Sequence, residues 1–312
     1  MSLYPVDSDS RFFAENIRTV AVIGLGLLGG SLALRLKNCV PHCRVLGLAR
    51  RRESIDQAVS QNIIDYGSLE ADEILQQADI SIICTPVSNI ISLATKYADS
   101  WRRGAIVTDV GSVKAEIVKS LTPLLSKRGV NFVGSHPMAG SEKSGLAFAE
   151  ADFYEGSKVL VTPVEGTDAL SLALVETMWK LTGACPIEMP VDVHDESLGR
   201  TSHLTHLLAA AAVEVCLKAE NAEHTTGGGF RDFTRIAASS PEMWKQIFEM
   251  NREVLIGALQ EYQDELKTLS EWLQSNRWDE IEAYFDGAGK KRAEWLEKWN
   301  RQRQQQELQE RA

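Results

Sequence analysis

Short apolar runs alternate with amphipathic stretches through the first half of the chain. Val20-Ala21-Val22-Ile23 is fully apolar and ends in glycine, as a strand buried on both faces does. From Leu27 to Leu36 the apolar residues recur at helical spacing, Cys39 to His42 breaks the pattern, and Arg44 to Leu48 reads as a second strand. This is one βαβ unit. The alternation continues with predicted helices over Ile55–Ser60, Ala71–Gln77, Val87–Tyr97 and Val113–Leu125, and strands over Ile80–Cys84, Ala105–Thr108 and Asn131–Val133. A last unit runs from the strand Lys158–Thr162 through a helix to about Leu181 and the strand Ala184–Glu188. Strands alternating with helices predict an α/β, doubly wound parallel sheet covered on both faces.

Beyond Pro190 the strand signals stop, and the sequence becomes rich in Ala, Leu, Glu, Lys and Gln at helical spacing. The expected division is a polar leader over 1–16, a dinucleotide-binding domain over 17–189 and an all-α domain over 190–312. Thr225-Thr226-Gly227-Gly228-Gly229-Phe230 is too rich in glycine to be read as helix. The tail from Lys298 reads as a solvated or frayed helix.

Composition narrows the partners. Forty-three acidic residues against 33 basic ones give a formal charge of -10, which opposes a broad nucleic-acid or anionic-membrane surface. A small anion in a locally basic pocket is compatible with that balance. No apolar stretch approaches the roughly 20 residues of a membrane span, and no signal peptide is visible at Met1 to Glu15. The five cysteines are scattered with no zinc-ligand spacing, so reduced thiols and a cytoplasmic protein are expected.

Gly24-Leu25-Gly26-Leu27-Leu28-Gly29 follows an apolar strand and opens a helix, the context of the Rossmann dinucleotide fingerprint. Gly24 permits the tight turn, Gly26 lets backbone approach a pyrophosphate, and Gly29 lets helix and strand pack closely. The helix N-terminus offers free N–H groups to the phosphates. At the end of the second strand, Ala49-Arg50-Arg51-Arg52 replaces the acid that would bind a free ribose 2′-hydroxyl. Arg50 and Arg51 suit a 2′-phosphate, so NADP is the expected cofactor, with NAD the alternative if they are merely solvated. Thr85, Pro86 and Val87, after the strand ending at Cys84, are further candidate cofactor contacts.

Four more segments place polar groups where a core would not take them. They are Asp109-Val110-Gly111-Ser112-Val113-Lys114, Gly134-Ser135-His136-Pro137-Met138-Ala139-Gly140, Ser202-His203-Leu204-Thr205-His206, and Gly227 through Arg235. The first two fall at the carboxyl ends of strands, where open α/β sheets hold ligands, and Asp109 and Gly111 are candidates for the nicotinamide half-site. His203 and His206, three apart, would share a helix face. No third ligand at useful spacing accompanies them, so no metal is expected.

With these motifs in this order, from Val20 to about Trp244, the chain resembles the prephenate/arogenate dehydrogenase family of tyrosine biosynthesis. The resemblance implies NAD(P)-dependent oxidative decarboxylation: the C4 hydroxyl carbon of a cyclohexadiene gives up hydride while the ring carboxylate leaves as CO2, and aromatisation drives the step. It implies that His136 is the catalytic histidine and that Ser112 orients it and the nicotinamide; read from its position, Ser112 is equally a helix cap. It further implies that His203 and His206 contact substrate, that Arg235 holds a substrate carboxylate, that Gly229 approaches the substrate side chain and that Trp244 walls the pocket. His194 and Asp195 match a polar pair lining the far side of the cleft, with a surface turn the plainer reading. Thr205 stands where the family commonly has proline, which predicts a looser helix start.

Glu142 is the candidate selector between substrates, since a carboxylate beside the side-chain end favours the ammonium of arogenate over the keto acid of prephenate. Two other classes compete. A hydroxyacid dehydrogenase or imine reductase shares the domain plan, but those hydroxyacid enzymes place a lysine on the first helix after the nucleotide domain, and none lies between Lys180 and Lys218. A non-catalytic dinucleotide sensor would have no use for His136, Ser112, His206 and Arg235 together. A homodimer through the helical part is expected, because Leu204 to Ala219 carries more apolar surface than one small domain needs.

Overall fold

The computed structural model describes residues 8–141 and 143–310, with side chains described as far as Arg301. Eight strands form one sheet: β1 (Thr19–Ile23), β2 (Arg44–Leu48), β3 (Tyr66–Ser68), β4 (Ile80–Ile83), β5 (Ile106–Asp109), β6 (Asn131–Pro137), β7 (Lys158–Thr162) and β8 (Cys185–Glu188). Their spatial order is β3-β2-β1-β4-β5-β6-β7-β8. All neighbours run parallel except β6 and β7.

The alternation within each strand explains why both sheet faces are covered. Val20 and Val22 of β1 enter one core with Val45, Ile80 and Ile82, while Ala21 and Ile23 enter the other with Leu46, Leu48 and Ile83. Successive side chains of a strand point to opposite faces, so a run apolar at every position needs helices on both sides. The first core is closed by α1 (Ser8–Asn16), α2 (Leu27–Cys39), α3 (Arg52–Ser60) and, from the far end of the sheet-forming half, α7 (Ala169–Leu181). The second is closed by α4 (Ala71–Leu75), α5 (Val87–Lys96) and α6 (Ala115–Ser126). Ser81, the polar residue of β4, is accommodated because Trp101 Nε1 donates to its hydroxyl at 3.0 Å.

Three elements depart from the pattern-based expectation. Residues 8–16, read as part of a polar leader, form α1, whose Phe13 is fully buried; burial of a side chain of that size stabilises by ~1.5–3 kcal/mol. The short edge strand β3 carries Tyr-Gly-Ser, with no apolar run to announce it. β6 continues past Val133 to Pro137, pairing His136 with Leu160 of the antiparallel β7. His136 therefore sits within a strand rather than on a loop after it.

The helical part begins with α8 (Val191–Leu198), which passes through a π-helical turn at Gly199–His203 into α9 (Leu204–Cys216). Such wide turns shift side chains out of α-helical phase and recur at functional sites. α10 (Ala222–Thr225), α11 (Gly228–Thr234) and α12 (Pro241–Met250) follow. The glycine run, expected to be non-helical, instead starts a helix: Gly227 is the N-cap of α11, and Gly228 and Gly229 form its first turn. Glycine at a cap and first turn avoids the entropic penalty it carries in a helix interior.

By internal contacts the chain divides into two compact units, Met1–Val254 and Leu255–Ala312. The second consists of most of α13 (Arg252–Gln274) and all of α14 (Trp278–Glu310), with Trp272 of the former meeting the Tyr284 ring edge-on at 6.1 Å. Among the described residues no helix is long and apolar enough to cross a membrane.

Candidate active site

Sheet order reverses at β1, whose neighbours are β2 and β4, and ligands of open α/β sheets bind outside the carboxyl ends at such a point. There the chain turns sharply at Gly24, with φ +102°, and the Gly24 N–H donates to Leu48 O at 2.9 Å. A Cβ on Gly24 would lie 2.6 Å from Cys84 O, and one on Gly29 would lie 2.1 Å from Gly24 O. Both glycines are thus demanded by the protein itself. Gly26 is different: a Cβ there would meet nothing within 4 Å, so its bareness leaves room for an incoming group.

Gly26 is also the N-cap of α2 and supplies no side-chain acceptor, leaving N–H groups at the start of Leu27 and Leu28 for an anion. Thr85 Oγ1, just past β4, is buried without a hydrogen-bond partner among the described residues. Leu25 is buried, Pro86 exposed, and Val87 opens α5. Open space at Gly26, an uncapped helix start and an orphaned hydroxyl fit a nicotinamide dinucleotide. Arg50 and Arg51 are exposed at the end of β2 and make no ion pair among the described residues.

Asp109 and Gly111 play a different part from the one expected of cofactor contacts. The Asp109 carboxylate is fully buried and ion-paired with the equally buried Lys114. Asp109 also accepts from Gly111 N at 2.8 Å and Ser135 N at 3.2 Å, while Lys114 Nζ donates to Ser135 O at 2.9 Å. A buried pair is tolerable when its remaining valences are satisfied in this way. The consequence is geometric: the loop after β5 is tied to the strand that carries His136. Ser112, in that loop, is half-buried, and no hydrogen bond joins it to His136 among the described residues.

The ring nitrogen partner of His136 is His194. Its Nε2 lies 2.9 Å from His136 Nδ1, and His194 Nδ1 lies 2.7 Å from Asp195 Oδ1. Asp195 in turn accepts from the backbone N–H groups of Lys114 and Ala115, each at 2.8 Å, and so caps α6 from eighty residues away. His194 is fully buried and Asp195 nearly so. The pair is therefore no surface turn, and it stands behind His136.

Protonation follows from these contacts. Burial raises the Asp195 carboxyl, but the bonds from His194, Lys114 and Ala115 outweigh it and hold the group below the usual carboxylate range. As an anion it can only accept, so His194 carries its proton on Nδ1 and presents a bare Nε2. His136 must then donate from Nδ1, which leaves its Nε2 as an acceptor. Burial, followed by the neighbouring His194, Lys114 and His203, pushes the His136 pKa well down and keeps the ring neutral.

His203 is buried, His206 half-buried, and Trp244 stacks on His206 with ring centroids 3.7 Å apart. His206 Nδ1 donates to Ser202 O at 2.9 Å, and Thr205 Oγ1 donates to the same carbonyl at 2.7 Å. Thr205 thus anchors the helix start locally where a proline ring would have. Trp244 Nε1 is buried with no hydrogen-bond partner among the described residues, an unused donor suited to an anion.

Arg235 is exposed beyond α11, close enough for its charge to help lower the His206 pKa after the larger effect of burial. Asp232, a possible ion-pair partner, is taken by Arg231 at 2.9 Å. Gly229 is exposed in the first turn of α11. Glu142 lies outside the described residues. Sequence reading missed Asn251, which is buried at the C-cap of α12 and bonds both the Asp195 carbonyl and His203.

Two family models match the chain: "Prephenate dehydrogenase, nucleotide-binding domain" over residues 32–188, and "Prephenate dehydrogenase, dimerization domain" over 190–287. The prephenate dehydrogenase of Bacillus subtilis is 33% identical over 275 residues, spanning 86% of this chain and 74% of that one. The crystal structure of prephenate dehydrogenase from Aquifex aeolicus with hydroxyphenyl propionate and NAD+ superposes with a TM-score of 0.81 at 35% identity, covering 89% of this chain and 98% of that one. Synechocystis arogenate dehydrogenase superposes with a TM-score of 0.80 at 28% identity, covering 89% and 99%.

Proposed function

The chain belongs to the prephenate dehydrogenase family, and from that premise we propose how its own residues carry out NAD(P)-dependent oxidative decarboxylation of prephenate or arogenate. The observation that carries the reading is the Asp195–His194–His136 chain, which leaves a neutral, buried histidine with its Nε2 as acceptor beside the cofactor end of the sheet.

The dinucleotide is held at Gly24, Gly26, Gly29, the first turn of α2 and Thr85, and when bound its nicotinamide supplies the hydride acceptor. His136 Nε2 accepts a hydrogen bond from the substrate C4 hydroxyl. As hydride leaves that carbon, the C–O bond gains carbonyl character and the hydroxyl proton is drawn toward Nε2. Loss of hydride and CO2 from the substrate already balances its charge, so the proton is lent to His136 and returned when the ring aromatises. Asp195, two rings away, stabilises the positive charge on the histidine pair meanwhile, and the Lys114–Asp109 tie keeps His136 at a fixed angle.

Arg235 and the Trp244 N–H would hold the substrate's carboxylates, with His206 Nε2 and Gly229 beside them. Ser112, in the loop between cofactor and His136, would contact the nicotinamide side. Glu142 remains our candidate for substrate choice. α9, which is half-buried over most of its length with only Ala209 fully covered, would form the homodimer contact in the region matched by the dimerisation model. We place the protein in the cytoplasm on its five cysteines, which are scattered along the sequence with no zinc-ligand spacing.

NADP is the proposed cofactor, because Arg50 and Arg51 are exposed and, among the described residues, without acidic partners where a 2′-phosphate would lie. The test is a two-by-two set of initial rates, prephenate and arogenate each with NAD and NADP. Turnover with at least one pair, and NADP favoured, is expected; replacing Arg50 and Arg51 by alanine should then raise the KM for NADP about tenfold or more and leave that for NAD unchanged. Equal effects on both cofactors would make the arginines bystanders.

A further inference from the structure

The amide of Asn251 has one orientation that its surroundings allow. It lies 2.9 Å from the Asp195 backbone carbonyl, which can only accept, so the atom facing that carbonyl is the nitrogen Nδ2 and not the oxygen. The same Nδ2 lies 3.1 Å from His203 Nδ1. Its second hydrogen therefore points to a ring nitrogen that must accept, and a neutral His203 must carry its proton on Nε2. With the amide reversed, oxygen would face oxygen at the Asp195 carbonyl.

The other histidines of the site have the opposite arrangement. His136 and His194 donate from Nδ1 along the chain that ends at Asp195, and His206 donates from Nδ1 to Ser202 O at 2.9 Å. His203 is the exception among the four. Burial lowers its pKa from 6.5 to about 4, against the pull of Asp195, so a neutral Nε2–H tautomer is its state through the physiological range.

We propose that Asn251 is a positioning residue that fixes His203 as a neutral Nε2–H donor to the substrate, giving the site one imidazole that accepts, His136, and one that donates, His203. A substrate that presents a hydroxyl hydrogen at one end and carboxylate oxygens elsewhere needs both. Asn251 also grips the backbone of Asp195, so one amide joins the donor histidine to the chain behind the acceptor. The part of this proposal that concerns substrate rests on the reading of the site given above; the tautomer does not.

The experiment is histidine-selective nitrogen-15 NMR of the full-length protein, whose six histidines give few ring signals, with His203 assigned by its loss in His203→Asn. At pH 7 the wild-type His203 ring is expected as the Nε2–H tautomer, against Nδ1–H for His136, His194 and His206. In Asn251→Ala the His203 signal should move toward a mixture of tautomers, with the KM for the cyclohexadienyl acid raised about tenfold and kcat within about twofold. That KM effect should vanish in a His203→Asn background.

An Nδ1–H tautomer or an imidazolium at His203 in the wild type overturns the proposal, and this holds even if Asn251→Ala does not fold. A tautomer unmoved by Asn251→Ala also overturns it. Should the tautomer behave as stated while KM stays level, His203 is not a substrate donor and the substrate half of the proposal falls. Absence of any turnover in the wild type would instead strike the functional reading while leaving the tautomer result standing.

Discussion

His136→Asn is expected to lower kcat by roughly two to four orders of magnitude and to leave substrate KM within about threefold, the range over which a positioned general base contributes. Asparagine nearly matches the ring in size, yet it cannot hold a proton at the position of Nε2 or pass charge to His194, which lies 2.9 Å away. The pH profile supplies the companion result. Burial keeps the His136 pKa well below its ordinary value of 6.5, so the ring protonates only at lower pH. Wild-type kcat should therefore stay level as pH falls through 6.5 and decline on the acid side of it, when Nε2 loses its lone pair. The residual activity of the variant should lack that acid limb. An unchanged kcat in His136→Asn would remove the residue from the chemistry.

Arg235→Gln is expected to act on binding, with KM for the substrate raised about 10- to 100-fold and kcat changed far less. A charge-assisted hydrogen bond contributes ~1.5–3 kcal/mol, and a fork of two such bonds to one carboxylate is the arrangement a guanidinium favours. The structure removes the plainest competing role, since Asp232 is paired with Arg231 and Arg235 stands exposed without an ion-pair partner among the described residues. Stability should therefore be unaffected, and an equal thermal midpoint for variant and wild type checks this. A KM within twofold of wild type would mean that Arg235 touches solvent rather than substrate.

Why some of this could be read from sequence and some could not is a matter of range. β1, β2, β4 and β5 are announced by apolar runs because both of their faces are covered, whereas β3 buries only Gly67 and Ser68, which form no apolar run, and α1 offers just Phe12-Phe13-Ala14, too short to announce a helix amid polar residues. The glycine fingerprint was legible because its three glycines act within one turn. The order of motifs brought His136, His203, His206 and Arg235 into view. It could not reveal what lies behind them.

His194 and Asp195 appear in the sequence as two polar residues in a helix start, indistinguishable from a solvated turn. Their burial depends on Lys114 and Ala115, eighty positions earlier, whose N–H groups Asp195 caps. Asn251 is harder still, because its partners are a backbone carbonyl and a ring nitrogen on other elements, and no local pattern marks an asparagine at a helix end as anything but a cap. The glycine run at 227–229 misled for the converse reason: glycine disfavours helix interiors, and these glycines occupy a cap and a first turn.

In the proposed reaction, hydride removal and loss of the ring carboxylate occur as one event at His136. This coupling is tested most directly by supplying prephenate or arogenate labelled with carbon-13 at the ring carboxylate and measuring labelled CO2 against reduced dinucleotide in the same reaction. One CO2 for each reduced dinucleotide, with both falling together in His136→Asn, is the predicted result. Dinucleotide reduction without labelled CO2, or no reduction of either cofactor with either substrate, would contradict the account.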